Sequence, residues 1–275
     1  MRFQVKSGKK LAGEIARIAA KLVRHIRKRV KLLNREPGSE TIHEIRMAIK
    51  KLRALLRLIR DGFGRKFYRR QHHSLRALAH CLSPSRDAAV QLATLRKLRR
   101  HCHQLSADDI SDLENRLIEK KRNTSKSKQL SKSQFRDTLR QINRWPFKNL
   151  KRRDIKFGIE RGYQKLVKAR HLAVQSPGDE NLHTWRKRAK NLYYELLLIK
   201  KIGPKSADKL ARQIKELGKY LGNDHDLVLL TKELHHGSSR LHRHVHARRA
   251  EFQKLAFHHG DLIQMNAAIL LGPWR

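Results

Sequence analysis

A stripe of cationic side chains occupies one face of a predicted helix in the first quarter of the chain. His43, Arg46, Lys50, Arg53 and Arg57 follow one another at steps of three and four residues, so they share one face of an α-helix. At about 1.5 Å per residue the stripe is about 21 Å long. Arginine grips a phosphate with two hydrogen bonds, lysine supplies a compact charge, and histidine donates a hydrogen bond. The pattern therefore predicts a binding face for an elongated anion.

The helix that carries these cations must bury a second stripe beside them. Its apolar residues repeat at the same steps, which predicts one buried seam. Thr41 and Glu44 have the spacing of a capping box, which predicts that the helix starts there. The seam consists of Ile42, Ile45, Ile49, Leu52, Leu56 and Ile59.

The same segment occurs a second time, 140 residues later and without a gap. PGSETIHEIRMAIKKL at 37–52 returns as PGDENLHTWRKRAKNL at 177–192, with Pro, Gly, Glu, His, Arg, Lys and Leu in register and Ala one step out. Such self-similarity predicts a tandem duplication, with repeats at 1–145 and 146–275. The second apolar seam is Leu182, Trp185, Ala189, Leu192, Leu196 and Ile199.

The charge of the chain indicates a polyanionic partner. Its 65 Lys and Arg residues exceed its 24 Asp and Glu residues by 41, and 17 histidines add to this. Repulsion on that scale opposes folding, so the charge is explained by what the protein binds. Nucleic acid, an anionic membrane surface and inorganic polyphosphate all remain candidates. No apolar run approaches the ~18 residues of a membrane span. The two cysteines, Cys81 and Cys102, fit a reducing cytoplasm.

Helical periodicity dominates the whole chain, which predicts an all-α fold. Gly62, Gly64 and the Gly203-Pro204 pair are expected to end helices, and Ser106 with Asp109 resembles another capping box. The Lys- and Ser-rich segment 120–134 is expected to be a flexible basic linker. Helices are predicted at 10–34, 42–60, 65–82, 86–103, 107–122, 134–144, 153–175, 182–201, 206–221, 225–236, 239–258 and 261–271.

Signals for a metal or for acid catalysis are weak. Asp87 and Asp226 are lone carboxylates among cations, and we expect them to orient arginines or to cap helices. His242 and His246 have the spacing of a two-histidine metal site, but the sequence offers no third ligand. We therefore predict neither a metal nor another cofactor.

The repeated segments resemble a known family. HEIRMAIKKLR and HTWRKRAKNLYY are similar to the two histidine helices of CHAD domains, the conserved-histidine α-helical domains. LSPSRDAAV at 82–90 and LGNDHDLVLL at 221–230 are similar to the family's later signature in each half. The resemblance implies two helical bundles related by a pseudo-twofold axis with a basic groove between them. It also implies inorganic polyphosphate as the ligand and, often, a location at polyphosphate granules.

The resemblance assigns ligand-binding residues to both halves. Tyr193 stands where the family commonly has an arginine. We therefore expect the second half to bind the ligand less tightly at this position or to use the tyrosine hydroxyl there. Arg57 extends the first set, and Arg24, Lys28 and Lys168 are further candidates. The matching residues are His43, Arg46, Lys50, Lys51 and Arg53 in the first half and His183, Arg186, Lys187 and Lys190 in the second.

We expect a binding module rather than an enzyme. Enzymes that act on phosphates need metal-holding carboxylates or a phosphate-cradling loop, and the sequence contains neither a GxxxxGK[ST] loop nor an E-x-E-x-K motif. The alternative is a nucleic-acid-binding protein. An aromatic content of 6% and the lack of a recognition motif argue against it. The expected protein is thus cytoplasmic, located at polyphosphate granules and bound to polyphosphate.

Overall fold

The computed structural model of the protein describes residues 3–33, 35, 38–82, 84–101, 107–126, 132–234 and 239–265. All of their regular structure is helical, which confirms the predicted all-α class. A 3₁₀ turn spans Phe147–Asn149. The α-helices are α1 Leu11–Leu33, α2 Ser39–Leu58, α3 Arg60–Phe63, α4 Arg65–Cys81, α5 Pro84–His101, α6 Ala107–Lys126, α7 Lys132–Ile142, α8 Arg152–Gln175, α9 Asp179–Ile199, α10 Ala207–Thr231 and α11 Ser239–Met265.

The two apolar seams predicted from the sequence are buried in α2 and α9. In the first seam every residue from Ile45 to Ile59 is buried and Ile42 is partly buried. All six residues of the second seam are buried, with Trp185 fully enclosed. Burial of this kind contributes about 1.5–3 kcal/mol for each large side chain, so these seams fix which face of each helix turns away from the core.

Each seam helix packs against the helices before and after it. α1 lies along α2, and α8 lies along α9. α4 then packs against α2, and α10 packs against α9. The N-terminal residues cross to the second half, where the Val5 amide donates a hydrogen bond of 2.9 Å to the carbonyl of Leu198.

The hydrophobic core continues through both halves of the chain. One large cluster contains buried residues of α1, α2, α4 and α7 together with those of α8, α9 and α10. A smaller cluster joins α5 and α6 of the first half to α10 and α11 of the second. The division at residue 145 therefore remains a sequence-based prediction, and the core runs across it.

Two glycines on α8 allow close contact with α2 and α9. A Cβ at Gly158 would overlap the backbone carbonyl of Leu58 on α2. A Cβ at Gly162 would lie 2.6 Å from a carboxylate oxygen of Glu195 on α9. Any larger residue at Gly158 would push α8 away from α2, so this glycine sets how closely the two halves approach.

Two predicted helix breaks are wrong, because tertiary packing uses the glycines that suggested them. We predicted separate helices at 206–221 and 225–236, but α10 continues through Gly222, which is buried beside Arg186. We also predicted a break near Gly260, which lies inside α11. A Cβ at Gly260 would lie 2.8 Å from the Trp185 ring, so this glycine serves close packing instead of ending a helix.

The predicted capping box at Thr41 is also wrong. α2 begins at Ser39, and its N-cap, Gly38, makes no side-chain cap hydrogen bond. Glu44 instead pairs with Arg29 of α1, which offers a stronger, charged partner than a backbone amide.

The predicted linker at 120–134 is partly helical. α6 extends to Lys126 and α7 starts at Lys132. The second predicted capping box, at Ser106 and Asp109, lies outside the residues and side chains that the structure describes.

Candidate anion-binding site

A cavity of about 670 Å³ lies where α2, α4, α8, α9 and α10 meet. It is lined by residues of both halves of the chain. Apart from the phenols Tyr68 and Tyr194, its ionisable side chains include two carboxylates, Glu195 and Asp226, and three imidazoles, His72, His80 and His225. The remaining ones are cations: Arg46, Lys50, Arg53, Arg57, Arg60, Arg76, Arg161, Lys165, Arg186, Lys187, Arg188 and Lys190.

The α2 wall carries the predicted cationic stripe. Arg46, Lys50, Arg53 and Arg57 all line the cavity, because they stand beside the buried seam of the same helix. Arg46 donates a hydrogen bond of 3.4 Å to the carbonyl of Ala79 on α4. This bond holds the Arg46 guanidinium against α4 at the edge of the cavity.

A stack of rings on α4 extends this wall. The guanidinium of Arg60 lies 5.3 Å from the Tyr68 ring centre, and Tyr68 stacks on His72 at 5.4 Å. His72 Nε2 is in turn 3.4 Å from Arg53 Nη2. Burial, and then the charges of Arg53, Arg57 and Arg76, lower the pKa of His72 to about 4. His72 is therefore neutral at pH 7 and can accept a hydrogen bond from Arg53.

A buried ion pair connects the two halves at the cavity wall. Arg57 of α2 donates to Glu195 of α9 at 2.6 Å, and the Glu195 side chain is only 3% exposed. Burial raises the pKa of Glu195, while Arg57, Arg161 and Lys165 act against this shift. Arg161 also donates 2.9 Å to the Arg57 carbonyl and pairs with Asp61. The arrangement positions Arg57 rigidly between the halves.

The opposite wall is formed by α9 and α10. Arg186 lies 3.8 Å from Asp226, which agrees with the expectation that this carboxylate orients an arginine. Asp87, the corresponding residue in the first half, has no described side chain. His183 and His225 contact each other as tilted rings, with ring centres 4.1 Å apart. Tyr194 lines the same wall, and its hydroxyl contacts Met47 of α2 at 3.6 Å.

Several residues predicted from the sequence lie outside the cavity lining. His43 is exposed, one turn before Arg46. The Lys51 ammonium lies 5.7 Å from the ring centre of Phe3, and burial lowers its pKa. His183 does not line the cavity itself but contacts His225, which does. Tyr193 likewise packs beside Tyr194, which lines the cavity. The further candidates Arg24, Lys28 and Lys168 are exposed elsewhere.

The structure adds lining residues from α4 and α8 that the sequence reasoning missed. Tyr68, His72, Arg76 and His80 recur at four-residue steps, which is a helical stripe that could have been recognised. Arg161 and Lys165 of α8 have the same spacing. Their position beside α2, however, depends on the close approach at Gly158, which no local pattern specifies.

No group of three metal-ligating side chains comes together within the described part of the chain. No helix there has the length and apolar character needed to cross a bilayer.

Comparison with known proteins identifies the family. The model of the CHAD domain matches residues 17–235, so the chain belongs to the CHAD domain family. The crystal structure of the CHAD domain from the plant Ricinus communis superposes with a TM-score of 0.67 over 100% of this chain and 98% of that chain. At 16% sequence identity, this similarity concerns the fold alone. A search of curated proteins found no match.

Proposed function

We propose that this protein binds inorganic polyphosphate in the cavity between its two halves and that it performs no catalysis. The observation that carries the proposal is the convergence of arginines and lysines from α2, α4, α8 and α9 on one cavity. Its two carboxylates already face arginines, Glu195 with Arg57 and Asp226 with Arg186.

Such a lining favours a linear ligand with many negative charges. Cations placed this close together repel one another, and in a partly buried space solvent screens that repulsion less than at a surface. A chain of linked phosphates carries a charge on every unit and is thin enough to enter. A nucleic-acid duplex is too wide for the cavity and would contact only cations at the protein surface.

The arrangement of carboxylates supports a binding role. Enzymes that transfer phosphoryl groups hold metal ions with carboxylates that converge on the phosphates. Glu195 is buried against Arg57, and Asp226 is directed at Arg186, so these two carboxylates serve to position arginines. The described lining thus offers phosphates hydrogen-bond donors and positive charge.

Competition binding tests the proposal. Labelled long-chain polyphosphate is bound to the full chain at physiological salt and displaced with unlabelled polyphosphate, duplex DNA or single-stranded RNA. We expect polyphosphate to displace the label at far lower phosphate concentration than either nucleic acid. The affinity should fall steeply with added salt, because each neutralised phosphate releases counterions. Equal displacement by DNA or RNA would favour a nucleic-acid-binding protein instead.

The proposal places the protein in the cytoplasm, at polyphosphate granules. A fluorescent fusion should then colocalise with granules in cells that accumulate polyphosphate and become diffuse when polyphosphate synthesis is blocked. Persistent foci without polyphosphate would contradict this location.

A further inference from the structure

Two histidines, one on α9 and one on α10, form a tilted ring pair at the α9–α10 wall. The ring centres of His183 and His225 lie 4.1 Å apart, with an angle of 32° between the ring planes. His225 lines the cavity, and the buried Nδ1 of His183 has no hydrogen-bond partner among the described residues. The pair is therefore close enough to a bound anion to respond to its charge, and it has a ring nitrogen that no group in the described part of the chain satisfies.

Burial and the surrounding cations keep both rings neutral at pH 7. The carboxylates on either side of His225 in the sequence are held by arginines: Asp224 by Arg249 at 3.0 Å and Asp226 by Arg186 at 3.8 Å. The surrounding groups are Arg186, Lys187 and Lys190 on α9, Asp224 and Asp226 on α10, and Arg249 on α11, with Arg46 and Lys50 on α2 and Lys165 on α8 facing the same cavity.

The protonation equilibria agree with this geometry. Burial, followed by the charges of Lys187, Arg186 and Lys190, lowers the pKa of His183 to about 4. Burial, followed by Arg186, His183 and the two lysines, lowers the pKa of His225 to about 3. A second proton on the pair would place two positive charges next to each other, so the two rings titrate as one unit that holds at most one proton.

One member of the pair, His225, stands where the first half has a permanent charge, whereas His183 corresponds to His43. In the aligned segments LSPSRDAAV at 82–90 and LGNDHDLVL at 221–229, His225 corresponds to Arg86 and Asp226 to Asp87. The repeat offset of 140 likewise aligns Tyr193 with Arg53. The second half thus has a titratable ring and a phenol at positions where the first half has arginines.

We propose that the His183–His225 pair takes up a proton when a polyanion enters the cavity, so that polyphosphate binding tightens as the pH falls. The inference rests on the proposed function. A polyanion neutralises Arg186, Lys187 and Lys190 and adds negative charge near the rings. Both changes favour the imidazolium form, which then donates a hydrogen bond to phosphate.

The direction of the pH dependence follows from linkage. Because the bound state holds more protons than the free state, affinity increases as the pH falls through the pKa of the bound pair. Uptake of one proton corresponds to a change in affinity of at most about tenfold per pH unit. Arginine and lysine stay charged near and below neutral pH, because their pKa values lie far above it, so they cannot produce such a slope.

Titration calorimetry measures the proton uptake directly. Long-chain polyphosphate, whose few end groups contribute little proton exchange, is titrated into the full chain at pH 6 in two buffers with different enthalpies of ionisation. We expect wild type to take up at least one proton per site. His183→Gln with His225→Gln should lower the uptake by about one proton, whereas His171→Gln, at an exposed position on α8, should leave it unchanged. His72, which also lines the cavity and has a lowered pKa, is present in all three proteins and does not affect the difference between them.

A second variant separates charge from titration. His225→Arg gives the second half the residue type found at Arg86. It should bind more tightly than wild type at pH 7.5 and show a smaller rise in affinity toward pH 5.5. Circular dichroism melts establish that each variant is folded before binding is compared.

The outcomes distinguish this inference from the function on which it rests. Failure of wild type to bind polyphosphate would overturn the proposed function. Binding without proton uptake, or uptake in the double glutamine variant equal to that of wild type, would overturn only the role of the histidine pair.

Discussion

At the residue scale, Lys50 and Lys190 occupy corresponding positions of α2 and α9 and both line the cavity. Lys50→Gln with Lys190→Gln should weaken polyphosphate binding by about ten- to a hundredfold for each lysine, the effect of losing one charged hydrogen bond. Each substitution should also reduce the slope of log affinity against log salt concentration by about one, because one phosphate contact is lost.

The matched control removes the same charge from outside the cavity. Lys21 and Lys209 are exposed, one in each half. Lys21→Gln with Lys209→Gln should change affinity only slightly. Equal losses in the two double variants would indicate that overall charge, and not the cavity, determines binding.

Glu195 has opposite effects on stability and on binding. Glu195→Gln leaves Arg57 without its carboxylate partner, and breaking a buried ion pair in this way typically costs 3–5 kcal/mol. Denaturant unfolding should therefore show a clear loss of stability in the free protein. Because the variant removes a negative charge from the cavity, saturating polyphosphate should restore more stability to it than to wild type. An unchanged unfolding midpoint would contradict the structural role of the pair.

The structure brings four of the predicted cations together along one wall of the cavity, for a physical reason. Arg46, Lys50, Arg53 and Arg57 follow one periodic helix, so burial of the neighbouring seam determines their direction. His43 and Lys51 share that segment but lie outside the cavity lining. Lys51 lies beside Phe3 of the N-terminal segment, a contact between distant residues that no local pattern specifies.

At the element scale, the approach of α8 to α2 determines the width of the cavity. Gly158→Ala should destabilise the protein by about 1–3 kcal/mol, because the added methyl group meets the Leu58 carbonyl and the helices must separate. Gly13→Ala in α1 is the matched control, since a Cβ there meets nothing within 4 Å. It should stabilise the helix by about 0.5–1 kcal/mol. Thermal unfolding of both variants measures the difference, and similar effects would exclude a special role for Gly158.

Two other glycines, Gly222 and Gly260, limited the sequence-based assignment of helices. Gly222 and Gly260 read as helix ends because isolated glycine has a low helix propensity. Burial of Gly222 beside Arg186 and of Gly260 against Trp185 outweighs that cost of about 1 kcal/mol. Periodicity thus located the helices, whereas helix–helix contacts decided how long two of them are.

At the scale of the whole molecule, the neutral histidines make stability depend on pH. The pKa values of His72 and His183 are about 4 and that of His225 is about 3, all below the ordinary value near 6.5. The unfolded chain therefore binds more protons below pH 6.5, and the free energy of unfolding falls as the pH decreases. Between pH 7 and 5 each histidine should cost about 1 kcal/mol, after allowance for solvent screening.

Urea unfolding at pH 7.5 and pH 5 checks this dependence. Glu195, whose pKa is raised, acts in the opposite direction and reduces the total effect. The triple variant His72→Gln, His183→Gln and His225→Gln should lose less stability on acidification than wild type. An equal loss would assign the pH dependence to other groups.

The dependence of affinity on phosphate chain length tests most directly whether both halves bind one ligand in one cavity. Tripolyphosphate and progressively longer chains are titrated into wild type, into Arg46→Gln with Lys50→Gln, and into Arg186→Gln with Lys190→Gln. In wild type, affinity should rise with chain length until the chain spans both walls and then level off, because the second contact benefits from a high effective concentration. Each half-site variant should lose that rise. Two independent sites would instead leave one unchanged affinity in each variant at half the stoichiometry, and that result would contradict a shared cavity.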